Sequence, residues 1–390
     1  MSEVRVYNLT NENNTGGPTI SGITTYSGRH FFVPPQGDTA SRPDDCAPGS
    51  LRFNTDTAHL EYFRGDTIGW TEIEASSPEL GGGTSSSNQN ALGARAIAGG
   101  GFLGVRTIEF VTVSTLGDSQ DFGDLIAAGA IHGKQAVSTE TRMLFSGGYI
   151  NNAIEFITVA STGNSTDFGD MTIPRFGETG VNDTVRGIFA GGASTTPHVP
   201  SHTASSDVID YVTISQTGNA VDFGNLILAQ FPGASMNNTT RGIIARQNSP
   251  AGPTAIMDTI ITRTLGNATD FGDCLSGTGS NVVGGVCNAT RGILAGGYSS
   301  DVINIIQFIT MATLGDATDF GELLTAANNN RGASSKTRGL ILGGSTPSNS
   351  NVIESVQIAT TGNSVDFGDM AYVSGDVGQI TMNSNAHGGI

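Results

Sequence analysis

The tripeptide Asp-Phe-Gly recurs six times, beginning at Asp121, Asp167, Asp222, Asp270, Asp319 and Asp366, at steps of 46, 55, 48, 49 and 47 residues. A chemical motif is needed once, whereas a structural unit is needed in every copy, so a near-constant period makes the chain an array of similar pieces. A second marker keeps step with the first: "ARAIAGG" from Ala94, "TRMLFSGG" from Thr141, "VRGIFAGG" from Val185, "TRGIIARQ" from Thr240, "TRGILAGG" from Thr290 and "TRGLILGG" from Thr337. Each is an Arg followed by an apolar run, and five of the six stop at Gly-Gly. Between the markers lie "IEFVTVSTLG", "IEFITVASTG", "IDYVTISQTG", "MDTIITRTLG", "IIQFITMATLG" and "SVQIATTG". These β-branched and aromatic runs ending in Gly read as strands closed by tight turns.

Asp-Phe-Gly also holds magnesium in protein kinases, but no His-Arg-Asp loop and no Val-Ala-Ile-Lys strand accompanies any copy here. The unit is therefore structural: an Arg-led strand, a Gly-Gly turn, a second strand, a Gly-Asn or Gly-Asp turn, the Asp-Phe-Gly segment, and one more variable strand. Three to four short strands in roughly 45–55 residues is the period of a propeller blade. The expected fold class is all-β: a six-bladed β-propeller over residues 91–390, preceded by a small β-meander anchor domain. The array begins at "ALGARAIAGGG" without the strand that precedes the Arg segment in later units, and the sequence ends on "QITMNSNAHGGI", which matches that missing strand. A C-terminal strand completing the first blade would remove the exposed sheet edges; an open solenoid is the rival.

Within the repeat, each Asp of Asp-Phe-Gly is expected to bond backbone amides in a turn. Phe122, Phe168, Phe223, Phe271, Phe320 and Phe367 are expected to fill the space between adjacent blades, with Gly permitting positive φ or a close approach. "GNSTDFGD" from Gly163 also offers Asn164, Asp167 and Asp170 as oxygen ligands for a hard cation. The last acidic position changes to Asn225 and Glu322, and the loop is short for six ligands, so the turn-and-core role is favoured and no metal is expected.

The Arg-led segment, the apolar strand ending in Gly-Gly and the aromatic near the end of each unit resemble kelch-type propellers over about 300 residues, with Phe standing where those repeats usually carry Trp. That resemblance implies architecture and leaves function open, because such propellers bind many unrelated partners. Residues 1–78 do not carry the repeat. "GDTASRPDDCAPGSLRFNTDTAHLEYFRGDTIGWTEI" reads as strands Ser50–Asn54, His59–Phe63 and Trp70–Ile73 joined by Gly, Asp and Thr turns. Its Arg42-Pro43, Pro48-Gly49, "LRFNTDT" from Leu51, "LEY" from Leu60, Trp70 and "EI" from Glu72 resemble a module of bacteriophage tail fibres and other phage virion proteins, over about 37 residues. The "TDFGD" repeats are likewise similar to those of marine-phage and cyanophage virion proteins. The resemblance implies a virion structural protein, part of the tail or fibre or a capsid decoration, made in the host cytoplasm.

The arm before the meander has one apolar cluster, Phe31, Phe32 and Val33, and with Trp70 these aromatics are the expected anchor onto other virion proteins. A 25-residue meander is too small to bury a core alone, so it must lean on the arm, the propeller or another chain. Residues 79–90, "ELGGGTSSSNQN", uncharged except for Glu79, form a Gly/Ser-rich tether between the domain at 1–78 and the propeller at 91–390. The "RGD" at Arg64 falls in an ordinary turn between strands.

The formal net charge is −17, with charged residues at 14% and 55 Gly in 390 residues. No basic cluster reverses that charge, which argues against nucleic acid or an anionic membrane as partner. No 18-residue apolar run or leader-like pattern is visible, so membrane insertion is not expected. Cys46, Cys274 and Cys287 are odd in number and scattered, as free thiols are, although Cys274 and Cys287 could meet across neighbouring strands. Arg186 to Asp222 spans 36 residues where the other units take 25 to 29, and the surplus falls in "ASTTPHVPSHTASSD". Its His198 and His202 mark a candidate recognition loop for a host-surface glycan or protein. No nucleophile elbow, His-Glu-x-x-His, phosphate loop or Cys-x-x-Cys is present, so neither catalysis nor a cofactor is expected. The reading is a non-enzymatic virion component, present in several copies, that displays its propeller outward and aids host adsorption; a carbohydrate-binding, lectin-like propeller is the alternative.

Overall fold

The computed structural model describes residues 34–57, 59–73, 94–100, 105–126, 134–148, 151–194, 205–248, 255–275, 284–298, 301–346, 348–371 and 381–387. The chain divides into two compact units, Met1–Ser76 and Ser77–Ile390. All regular elements among the described residues longer than a single turn are β-strands.

In the N-terminal unit, Gln36–Gly37, Leu51–Asn54, His59–Phe63 and Trp70–Ile73 form one sheet in that order. The last three are antiparallel, with Phe53 opposite Leu60 and Leu60 opposite Ile73. Gln36–Gly37 adds a parallel edge beside Phe53 and Asn54 that the sequence reading did not contain, since two residues are too few to show alternation.

The C-terminal unit repeats one four-stranded antiparallel pattern six times. Its simplest copy pairs Gln135–Ser138, Arg142–Ser146, Ala153–Thr158 and Thr166–Asp170 in that order. The next copies start at Thr179–Asn182, at the end of the long strand Val221–Asn237, at Gly284–Cys287 and at Arg331–Ser334. Val221–Asn237 closes one copy and opens the next, so those two share a seven-stranded sheet. The remaining copy takes its first strand from the C-terminal end of the sequence: Thr381–Ser384 pairs antiparallel with Arg95–Gly99, which continues to Thr107–Thr112 and Gln120–Asp124. We number that copy unit 1 and the others 2 to 6 along the chain. In each unit the variable strand therefore precedes the Arg-led strand, and the Asp-Phe-Gly strand comes last.

First strands of successive units touch, and Thr381–Ser384 touches both Arg331–Ser334 and Gln135–Ser138. The apolar residues collect in six clusters, each drawn from two neighbouring units. Ile97, Ile108 and Phe122 of unit 1 meet Met143, Phe145 and Ile157 of unit 2. Ala98, Val111 and Met382 of unit 1 also meet Leu340, Ile353 and Phe367 of unit 6. No unit thus buries a core of its own; stability resides in the joints between units.

Candidate functional site

The joint between units is built from the residues that recur. The described Phe side chains of all six Asp-Phe-Gly segments are buried, one in each inter-unit cluster. Phe122 meets Phe110 edge-on at 5.9 Å between centroids, and the Arg95 guanidinium lies 4.7 Å over the Phe110 ring. The same Arg donates to the Val159 carbonyl of the next unit at 2.9 Å, so the residue that opens each Arg-led strand ties ring and neighbour together. Arg142, Arg186, Arg241, Arg291 and Arg338 donate in turn to Ile214, Thr262, Met311, Ile358 and Val113.

The Gly of Asp-Phe-Gly allows an approach that no side chain would. Its φ is +150° at Gly123, and a methyl there would lie closer than 3.0 Å to the Gly163 carbonyl of the next unit. The amide of Gly163 donates to the Phe122 carbonyl at 2.7 Å and that of Ser165 to the Asp124 carbonyl at 2.9 Å. Equivalent bonds run from Gly218 to Phe168, Gly266 to Phe223, Gly315 to Phe271, Gly362 to Phe320 and Gly117 to Phe367.

The role expected of the Asp is corrected by the structure. Asp121, Asp167, Asp222, Asp270, Asp319 and Asp366 are exposed on the outward side of their strands. The side chain that captures an amide is the Asn or Asp after the turn glycine of the following unit: Asn164 Oδ1 accepts from Asp124 N at 3.0 Å, and Asp118 Oδ1 from Asp369 N at 3.0 Å. Strand alternation decides this, because the buried Phe commits the preceding Asp to the opposite face.

The sequence reading passed over a second set of polar residues. At the centre of each third strand sits Glu109, Glu155, Asp210, Asp258, Gln307 or Glu354, all buried and each just past a β-bulge in the pairing with the Asp-Phe-Gly strand. Glu155 accepts from Ile126 N of the preceding unit at 2.8 Å and from Ser165 Oγ at 2.7 Å. Glu354 accepts from Leu324 N at 3.0 Å, and Gln307 from Leu275 N at 2.8 Å. Every Glu is matched by a Ser before its Asp-Phe-Gly strand (Ser119, Ser165, Ser364), while the units with Asp or Gln carry Ala220, Ala268 and Ala317 there. The signal was available as a lone polar letter inside "IEF", "IDY", "MDT", "IQF" and "IES". Burial pushes the Glu155 carboxyl up, but Lys134 at 3.1 Å and the bonds from Ser165 and Ile126 hold it below its ordinary value. Glu178, beside Arg175, is instead raised to about 7 by its burial.

At the far ends of the first strands, His387 contacts Cys287 Sγ through Nε2 at 3.2 Å and Ser334 Oγ through Nδ1 at 3.1 Å. The Ser334 hydroxyl donates to the Cys287 carbonyl at 2.7 Å, so Nδ1 carries the proton and the thiol donates to Nε2. Burial lowers the His387 pKa to about 4, keeping the ring neutral. Both side chains of this Cys-His contact are buried. All three cysteines are free. Cys274 shares an apolar cluster with Cys287, and burial raises its thiol to about 12.

The N-terminal sheet reverses the usual placement of polarity. Arg52, Asn54 and Glu61 are buried, under the segment that carries Arg42 and Pro43. Arg42 pairs with Glu61, Asn54 Nδ2 donates to Glu61 at 2.7 Å, and Arg52 donates to the Asp38 carbonyl at 2.9 Å. Trp70 closes this side, its indole donating to the Pro43 carbonyl at 3.2 Å beside Phe63. The opposite face presents Leu51, Leu60 and Ile73, exposed at 42%, 37% and 39%, together with partly buried Phe53 and Tyr62. Among the expected anchor aromatics, Trp70 is engaged within its own sheet, while Phe31 and Phe32 lie outside the described residues, as do His198 and His202.

Among the described residues no group of three or more His, Cys, Asp or Glu side chains is placed to hold a metal ion. A concavity of roughly 550 Å³ opens beside Arg142, Glu140, Thr184 and Ser215, but the guanidinium there is already bound to the Ile214 and Ser215 carbonyls. No helix of the described residues is long and apolar enough to cross a membrane. The chain matches no protein-family model and no curated protein.

Proposed function

We propose that this chain is a structural component of a tailed-bacteriophage virion. Residues 1–78 anchor it to other virion proteins, and a closed six-bladed, kelch-like propeller is displayed outward for host-surface adsorption. The propeller reading draws support from the cycle of joints: six clusters, six Gly-to-Phe amide bonds and six Arg-to-carbonyl bonds, in which unit 6 meets unit 1 as unit 1 meets unit 2. Closure of this kind leaves no first-strand edge of unit 1 open to aggregation.

The observation that carries the anchoring role is the exposed apolar face of Leu51, Phe53, Leu60, Tyr62 and Ile73. A sheet whose buried polar residues bond one another on one face, and whose aliphatic residues are exposed on the other, is arranged for a partner to cover it.

Replacing Leu51 and Leu60 together by Asp tests this reading. These exposed positions are expected to leave the melting of the isolated protein nearly unchanged. The variant is expected to be lost from assembled particles that incorporate the parent chain. Equal incorporation of both would remove the anchoring role. If the parent chain joins no particle and instead retains sugars on a glycan array, the lectin-like alternative takes its place.

A further inference from the structure

The turn between the first two strands recurs in all six units. Its cap residue, Thr139, Asp183, Asn238, Asn288, Ser335 or Asn385, donates its amide to the carbonyl of the Arg that opens the second strand. Where the cap is Asn, its side chain also reaches the next unit. Asn238 Nδ2 donates to the Ala289 carbonyl at 3.1 Å, Asn288 Nδ2 to that of Lys336 at 3.1 Å, and Asn385 Nδ2 to that of Glu140 at 3.4 Å. Each acceptor is the residue just after the next unit's cap, so the Asn is a strut from turn to turn.

Unit 2 carries Thr139 at this position, and its side chain has no amide group to span the gap. The acceptor that an Asn would reach there is the Thr184 carbonyl of unit 3. The concavity of roughly 550 Å³ opens between these two residues, lined by Thr139, Glu140, Thr141 and Arg142 of unit 2 and by Thr184 and Ser215 of unit 3. Its size falls within the range of small-molecule sites. We propose that this gap is a binding site for a neutral saccharide of mono- or disaccharide size, a role that rests on the host-adsorption reading above.

The chemistry of the lining selects the class. Thr139, Thr141, Thr184 and Ser215 offer hydroxyls that both donate and accept, and Glu140 offers an exposed carboxylate acceptor. The hydroxyls of a sugar need that mixture. Arg263 Nη2 of unit 4 donates to the Thr184 hydroxyl at 3.3 Å from the far side, and a hydroxyl that accepts can still donate. An acidic sugar or a phosphate needs a cation. The Arg142 guanidinium, beside Glu140, is already bonded through Nη1 to two carbonyls and lies 4.6 Å over the Phe156 ring. No aliphatic or aromatic side chain larger than Thr belongs to the described lining, which leaves an apolar ligand nothing to rest on. An amine would find one exposed carboxylate, a pairing worth little in water. Without an aromatic platform each site binds weakly, with a Kd in the millimolar range, and several copies on one particle raise the avidity.

Saturation-transfer NMR of the full chain with a panel of neutral hexoses and N-acetylhexosamines reads the site. At least one member is expected to receive saturation, with a millimolar Kd. Thr139→Asn installs the strut that three other units use, so it is expected to keep the parent's melting temperature and to weaken binding by about tenfold or more. Glu140→Gln is expected to weaken binding likewise while sparing the turn, whose bond from Asn385 uses only the Glu140 backbone carbonyl. Saturation of no panel member, equal binding by the parent and both variants, or binding confined to acidic sugars would overturn the proposal. Particle uptake is a separate readout: sugar binding lost in Thr139→Asn upholds the site even if the chain joins no particle, and uptake without sugar binding removes the site while leaving the virion reading in place.

Discussion

The amide of Gly117 donates a 3.1 Å hydrogen bond to the carbonyl of Phe367, joining the outer strand of unit 6 to a turn of unit 1. Gly163 makes the same bond to Phe122 at 2.7 Å between units 1 and 2. The joint between the ends of the array thus reuses the parts of the joints within it: a turn glycine, a buried Phe, and an Asx side chain on the amide that follows. The strand Thr381–Ser384 supplies the pairing that makes unit 1 four-stranded.

Glycine substitutions separate close approach from backbone conformation. Gly123 and Gly163 both hold φ near +150°, but a methyl at Gly163 would meet nothing within 4 Å, whereas one at Gly123 would strike the Gly163 carbonyl. Gly163→Ala is expected to lose roughly 1–3 kcal/mol from its backbone alone. Gly123→Ala should lose clearly more, read as a lower denaturation midpoint at unchanged slope.

Truncating the joint aromatic leaves a cavity that two units share. Phe320→Ala is expected to cost about 3–5 kcal/mol, measured by chemical denaturation, because Phe320 is 2% exposed among Val286, Ile341 and Val356. A loss below about 1 kcal/mol would mean that the cluster does not hold units 5 and 6 together.

Lys134 and Glu155 form a buried ion pair at 3.1 Å. Removing one partner strands the other, so Lys134→Met is expected to cost about 3–5 kcal/mol. The double variant Lys134→Met, Glu155→Gln should recover part of that loss, since the amide keeps an oxygen for Ile126 N and no charge remains. A double-mutant cycle measures the coupling.

Two buried groups give opposing pH dependences. Burial raises Glu178 from 4.5 to about 7, so the folded state binds more protons than the unfolded one between these values, and stability falls as pH rises through that window, by about 3 kcal/mol in all. His387 is lowered from 6.5 to about 4, so the unfolded state binds more protons, and stability is lost as pH falls from 6.5 to 4. Each slope masks the other across their overlap. The melting temperature of Glu178→Gln minus that of the parent chain should rise from pH 4.5 to 7, and that of His387→Asn minus the parent should fall from pH 4 to 6.5.

The period, the all-β class and the pairing of the last strand with "ARAIAG" could be read from the sequence, because a repeated pattern averages out the ambiguity of any one short strand. The meander strands His59–Phe63 and Trp70–Ile73 were legible for the same reason of alternation, down to their ends. The sidedness of that sheet was not. "LRFN" and "HLEY" give the alternation, but only the fold shows that a polar segment around Arg42 covers the Arg52 and Glu61 side. The Asp of Asp-Phe-Gly drew attention by recurring, yet it recurs because the outward position of an edge strand must stay polar. The residues that take amides, Asn164 and Glu155, lie in less conspicuous contexts, and their partners belong to a neighbouring unit. Contacts of that kind cannot be inferred from local spacing.

The most direct test of the closed ring is an experimental structure of the full chain at a resolution that separates neighbouring strands. The account predicts six blades, Thr381–Ser384 paired with Arg95–Gly99, and the Gly117 amide bonded to the Phe367 carbonyl. An open arc of six units, or a C-terminal strand paired elsewhere while the Gly117 amide faces solvent, would contradict it.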